Sequence, residues 1–259
     1  MKVGGCARPR LILLLMLCLF LAAPAWAGDA SPEIQVWPDL VEIGAFFSGH
    51  EVKIIGKIPQ GAQAVIEITG PAAAEHLMRK GRRSGLWMNV GEVEVQGAPS
   101  LYLAASTTPP LLKIPPAEAT WGYPALKQQI RFAGQVEQEE REMFLDQFFQ
   151  LKESEEVYAI FPGDLKVSGG LGDSQTVTGV LPLPTMVKPG AYQVCLTVVQ
   201  GGRVIAKPCR DLKVVMVGFP AMLASLAYEH GATYGILAVV IAIVTGFAMG
   251  YLFKGKGGH

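Results

Sequence analysis

The residues best suited to chemistry in this chain are a cluster of cations beside an aromatic: Arg79, Lys80, Arg82 and Arg83, then Trp87 and Asn89. A guanidinium presents a planar fork of donors that fits carboxylates and phosphates, and a tryptophan face suits a cation or a sugar ring. The set is a candidate contact for an anion, a glycan or a partner. The alternative is a solvated turn leading into a core tryptophan. Nothing else resembles a reactive centre. There is no Gly-x-Ser-x-Gly, no His-x-x-x-His, no Walker loop and no dinucleotide fingerprint, and His50, His76, His230 and His259 are scattered. The expectation is a non-enzymatic protein with no cofactor and no metal. A hydrolase remains an alternative, and it would need His50 or His76 in a deep pocket with acidic residues.

Two cysteines matter beyond position 27, Cys195 and Cys209. They flank Gly201-Gly202, which reads as a hairpin turn. With a three-residue loop over 201–203, position 200 pairs with 204 and Cys195 then faces Cys209. In an exported chain this predicts a disulfide; two free thiols are the alternative. A cysteine pair with no histidine nearby is a poor metal site.

The ends of the chain say where such a pair would sit. Lys2, Arg8 and Arg10 precede an apolar run over 11–23 and then Ala25-Trp26-Ala27, the order of a secretory signal peptide over 1–27. Removing it takes away those three cations, leaving 19 basic against 22 acidic residues, a balance that excludes a nucleic-acid-binding surface. Residues 233–253 carry no charge and are followed by Lys254 and Lys256. At 1.5 Å per residue this run matches the hydrocarbon core of a bilayer, so it reads as one transmembrane helix within 232–253. The lysines place the tail, 254–259, in the cytoplasm by the positive-inside rule, and the body outside. Within the anchor, Ala238, Ala242, Gly246 and Gly250 recur every four residues and form a ridge along which a second helix could pack closely. The expectation is a membrane-protein partner or a homo-oligomer formed through this helix.

The elements between the ends are mostly strands. Short alternating runs at 34–37, 40–43, 51–58 and 64–68, separated by Pro38, Ser48-Gly49 and Pro59-Gln60-Gly61, predict antiparallel sheet. A helical segment is expected over 119–156, first from Pro124 to Phe132 and then from 135 to 152. The second helix carries Val136, Met143, Phe144, Gln147, Phe148 and Leu151 near one face, read as its sheet-packing stripe. Strand texture returns from 157. The organisation expected is an N-terminal β-sandwich over 28–118, the helical segment, a C-terminal β domain over 157–217 and a juxtamembrane helix over 218–231. The fold class is mainly β, with one or two immunoglobulin-like sandwiches, a helical insertion and a single C-terminal span.

Several motifs together resemble one family. They are Phe46-Phe47-Ser48-Gly49, Gly70-Pro71, Arg79-Lys80-Gly81-Arg82 leading to Gly85-Leu86-Trp87-Met88-Asn89, and Pro99-Ser100-Leu101-Tyr102 with Ala105-Ser106-Thr107. Leu181-Pro182-Leu183-Pro184, Pro189-Gly190-Ala191-Tyr192-Gln193-Val194, Gly202-Arg203-Val204 and Tyr234-Gly235 continue the pattern. The chain resembles the bacterial transmembrane-protein family Alph_Pro_TM over nearly all of 28–259, departing at Leu101, where phenylalanine is expected. The resemblance implies a bacterial inner-membrane location with a periplasmic body. It supplies no catalytic residues. Members look like neighbours of sulfite-exporter-type permeases, which implies an accessory role in a small-anion transporter.

Overall fold

The structure is a computed structural model that describes residues 32–115, 119–133, 138–170 and 172–253. The signal peptide over 1–27, the tail with Lys254 and Lys256, and Val136 lie outside the described residues. The strands are β1 (Glu33–Trp37), β2 (Leu40–Ile43), β3 (His50–Pro59), β4 (Gln63–Thr69), β5 (Glu75–Arg83), β6 (Leu86–Gln96), β7 (Tyr102–Ser106), β8 (Arg131–Ala133), β9 (Tyr158–Phe161), β10 (Lys166–Gly169), β11 (Ser174–Leu183), β12 (Gly190–Gln200), β13 (Arg203–Ala206) and β14 (Cys209–Met216). The helices are α1 (Pro110–Lys113), α2 (Gly122–Gln129), α3 (Gln138–Ser154), α4 (Gly218–Tyr228) and α5 (Gly231–Phe253).

The protein is mainly β. One sheet has the order β1-β3-β11-β10, a second runs β2-β14-β12-β4-β7-β9 with β13 beside β12, and a third, β5-β6-β8, stands apart. Pairing is antiparallel except for β2 with β14 and β7 with β9. The first sheet is covered on one side, and its sequence alternates accordingly: in β3, Val52, Ile54 and Ile58 are buried while their neighbours Lys53, Ile55 and Lys57 are exposed. The second is covered on both sides at its centre. Its strands therefore read as continuous apolar runs, with 64–68 and every residue of β7 buried.

Gly56 shows how closely the two sheets approach. A Cβ there would lie 2.6 Å from a methyl of Leu196 on β12. Residues of both chain halves join a single apolar core, from Ile34 through Val214. The division into a sandwich over 28–118 and a separate β domain over 157–217 is therefore replaced by one body. β3 takes β11 as its neighbour, and β4 takes β12. The reason is burial: each half alone would leave the inner faces of β3 and β4 open to water.

The helical segment shifts as well. The expected helix over 124–132 ends at Gln129, and Arg131–Ala133 extends to pair with β6. On α3 the core-facing stripe is Leu145, Phe148 and Phe149, of which only Phe148 belongs to the expected set; Met143 and Leu151 are exposed. Phe148 and Phe149 meet Tyr158 on β9 edge to face, with ring centroids 6.0 and 5.5 Å apart, and this fixes α3 against the second sheet.

α5 is 23 residues long and none of it is buried against the body. At 1.5 Å per residue it measures about 34 Å. It is the one helix among the described residues that is long and apolar enough to cross a membrane.

Candidate functional site

The cationic cluster lies on a strand and not in a turn. β5 and β6 form a hairpin closed by Ser84 and Gly85, which both adopt positive φ, 51° and 83°, as a two-residue mirror-image turn requires. Side chains alternate along a strand, so consecutive cations part company. Lys80 pairs with Asn89 and Arg82 with Trp87 across the hairpin, which brings these four to one face. Arg79 and Arg83 take the opposite face.

Arg79 is already engaged. Its Nη2 and Nη1 donate to Glu140 Oε1 and Oε2 on α3, at 2.9 and 3.2 Å, and its guanidinium stands 5.3 Å from the Phe144 ring centroid. Trp87 is 74% exposed, which rules out the core-tryptophan alternative. The surface left open to a ligand is Lys80, Arg82, Trp87 and Asn89, with Arg79 and Arg83 withdrawn from it.

Cys195 on β12 is joined to Cys209 at the start of β14, with an S–S distance of 2.07 Å. The register arises by a route other than the expected one. The turn is two residues, Gly201-Gly202, so Gln200 pairs with Arg203. A bulge between Val198 and Val199 then adds the missing residue, and Cys195 faces Cys209 after all. The Cα separation of 4.1 Å fits a pair that exchanges no backbone hydrogen bonds, where opposed side chains are nearest.

Beside the disulfide lies a polar constellation that sequence reasoning missed. Glu67, in the middle of β4, is 5% exposed. Tyr102 on β7 donates its hydroxyl proton to Glu67 Oε1 at 2.5 Å. The Gly122 amide at the start of α2 donates to the Tyr102 oxygen at 2.8 Å and to Glu67 Oε1 at 3.2 Å. Lys207 closes the set, its Nζ 3.2 Å from Glu67 Oε2 and 3.3 Å from the Thr120 carbonyl. Burial, and then the Glu67 charge, push the Tyr102 hydroxyl well above its ordinary range, so it stays a donor. The only signal was an acidic residue inside Val65-Ile66-Glu67-Ile68, and a lone carboxylate in a strand does not announce its partners.

These groups line a cavity of about 290 Å³, together with Thr69, Gln129, Gln193 and the disulfide. Chemically it offers hydrogen bonds to a small polar molecule. Among the described residues it has no nucleophile with a base beside it: His50 and His76 are elsewhere, and His76 Nδ1 lies 2.7 Å from the exposed Glu92 carboxylate. Among the described residues no group of three or more His, Cys, Asp or Glu is placed to hold a metal.

Ala238, Ala242, Gly246 and Gly250 lie along one face of α5, uncovered by the body.

A β-rich body carried on one apolar helix of spanning length defines the class, a membrane-associated β protein with a single candidate span. The family model Alph_Pro_TM, described as "Putative transmembrane protein", matches residues 33–255, and the chain belongs to that family. No curated protein matches the sequence.

Proposed function

We propose that the chain is a non-enzymatic, single-span protein of the bacterial inner membrane whose immunoglobulin-like body stands in the periplasm and serves as an accessory or interaction subunit of a membrane complex. The observation that carries this reading is α5, an apolar helix of spanning length that the described body leaves unburied, so that its side chains are open to lipid and to other helices. The Cys195–Cys209 disulfide agrees with an oxidising compartment. A small-anion transporter of the sulfite-exporter type is the complex suggested by the family resemblance. The test is extraction of the full chain in mild detergent, with mass spectrometry of what copurifies. A stoichiometric membrane-protein partner or a defined homo-oligomer supports the proposal, and a lone monomer overturns it.

The second reading is an extracytoplasmic module that binds an anion or glycan. It is favoured by one observation, that Lys80, Arg82, Trp87 and Asn89 share an exposed face. A thermal-shift screen of the full chain against anions and sugars tests it, with the Arg82→Ala variant as control. Loss of the shift in that variant supports this reading; an equal shift retires it.

A further inference from the structure

β14 is the strand that joins the body to its long apolar helix: Met216 at its end leads through Val217 into α4 and then α5. α4 carries no charge from 218 to 228, none of its residues is buried, and Phe219 and Met222 are exposed. A helix of that composition suits the bilayer interface better than open water, which brings the exit at Val217 to the membrane surface. Two other segments emerge at the same end of the body. β2 runs parallel to β14 with Ile43 opposite Met216, and the Val217 amide donates to the Ile43 carbonyl at 3.0 Å, so residues 44–49 leave β2 beside this exit. They lead into His50 of β3, which pairs with Leu183 at the end of β11, so residues 184–189 lie there too.

These two segments are built alike. In the first a turn is closed by the Phe47 amide donating to the Gly44 carbonyl at 3.2 Å, and in the second by the Val187 amide donating to the Pro184 carbonyl at 3.3 Å. In each, the last residue of the turn packs inward, Phe47 against the core and Val187 within it. The residue before it points out: Phe46 is 98% exposed and Met186 61%. A single exposed apolar side chain is ordinary, but here two neighbouring turns each present one beside the apolar α4. Residues 44–49 carry no charge, and the one charge in 184–189, Lys188, stands 3.7 Å from Glu75 Oε1. Charge resumes on the strands behind the turns, at the exposed Glu42 and Glu51.

We propose that this end of the body is a lipid-contact surface, with Phe46 and Met186 inserted among the phospholipids of the leaflet that the body faces. The occupant follows from the course of the chain, because the strand beside these turns runs on into the helix that enters the bilayer. Insertion is shallow, since Glu42 and Glu51 remain in water. Two turns and α4 give the body several points of contact, so it is held at a set tilt and does not swing on its tether. The inference rests on α5 crossing the membrane and is independent of any partner protein.

The experiment uses the full chain in phosphatidylcholine nanodiscs that contain a phosphatidylcholine with a diazirine near the carboxyl end of one acyl chain. After photolysis, labelled peptides are mapped by mass spectrometry. α5 is labelled, and so are the peptides holding 44–49 and 184–189. Val204 and Ile205 on β13 are the control: they are exposed and apolar but lie at the far end of β12, and β14, eight residues long, spans about 27 Å at about 3.4 Å per residue. Their peptide is labelled at least tenfold less than the two turns. Phe46→Ser with Met186→Ser lowers labelling of the turns at least fivefold and leaves that of α5 unchanged. Both side chains are exposed, so the unfolding temperature of the variant stays at the wild-type value. Label in α5 with the turns no higher than β13, or turn labelling undiminished by the serine pair, overturns the proposal while leaving the span in place. Absence of label from α5 removes the span itself, and the proposal with it.

Discussion

Lys207, on the link between β13 and β14, places its Nζ 3.2 Å from Glu67 Oε2 on β4. The pair joins the β13–β14 link to β4 within the second sheet and, through the Thr120 carbonyl, reaches the residues just before α2. Glu67 is buried, and its carboxylate finds its polar partners in Lys207, Tyr102 and Gly122.

Removing the cation should therefore cost more than a surface ion pair is worth. A fully buried pair broken on one side costs about 3–5 kcal/mol, but the Lys207 side chain is 37% exposed and solvent screens part of this. Lys207→Met is expected to lower stability by about 1–2 kcal/mol in urea unfolding. Adding Glu67→Gln should restore part of it, giving a coupling of at least about 0.5 kcal/mol in the double-mutant cycle.

The disulfide should contribute independently of the pocket. Its cysteines are 14 positions apart, and closing a loop of that length is worth about 3 kcal/mol in the chain-entropy account. Cys195→Ala with Cys209→Ser is expected to lower Tm by several degrees. Wild-type protein treated with a thiol reductant should fall to the same value, and a reduced protein with unchanged Tm would contradict the assignment.

Alkaline pH should unfold the protein in a predictable direction. Burial holds the Tyr102, Tyr123, Tyr158 and Tyr192 hydroxyls above their ordinary value of 10.0. Above pH 10 the unfolded chain therefore releases phenol protons that the folded chain keeps. Stability is fully present below about pH 10 and falls as pH rises toward the folded values, by up to about 1.4 kcal/mol per pH unit for each tyrosine. Tyr158→Phe loses the hydroxyl's 2.8 Å bond to the Pro99 carbonyl, costing about 1 kcal/mol at neutral pH. It should also make the decline shallower, measured as urea midpoints between pH 9 and 11.

The contact between the sheets at Gly56 leaves no room for a methyl group. Gly56→Ala sets a Cβ 2.6 Å from Leu196 Cδ2, and displacing that buried side chain is expected to cost about 1–3 kcal/mol. Leu196→Val in the same chain should recover part of the loss in denaturant unfolding.

The α5 ridge makes a prediction in lipid. Gly246→Leu should abolish self-association in a membrane reporter assay, because the leucine holds two backbones apart where small residues let them meet. An unchanged signal removes this ridge as the contact.

How much of this could be read from the chain varies with the range of the interaction. Apolar alternation exposed β3, β11 and β12, and the uncharged run exposed α5, because each signal repeats within one element. The cysteine pairing was legible too, although the turn that delivers it was misjudged by one residue and a bulge restored the register. Arg79 to Arg83 looked like a turn because four cations around Gly81 carry no apolar period. Their strand pairing is imposed by β6 and by the Ser84-Gly85 turn.

By itself the sequence determined most of the strands and helices, the long apolar helix and the chemistry of each side chain, all properties set by residues a few positions apart. Only the tertiary structure decided that two β segments interleave into one body and that Glu67 meets Lys207. It likewise sent Arg79 to Glu140 and left Met143 and Leu151 of α3 exposed. Those outcomes depend on contacts between residues tens of positions apart, where burying the inner faces of two sheets together outweighs what any one segment prefers alone.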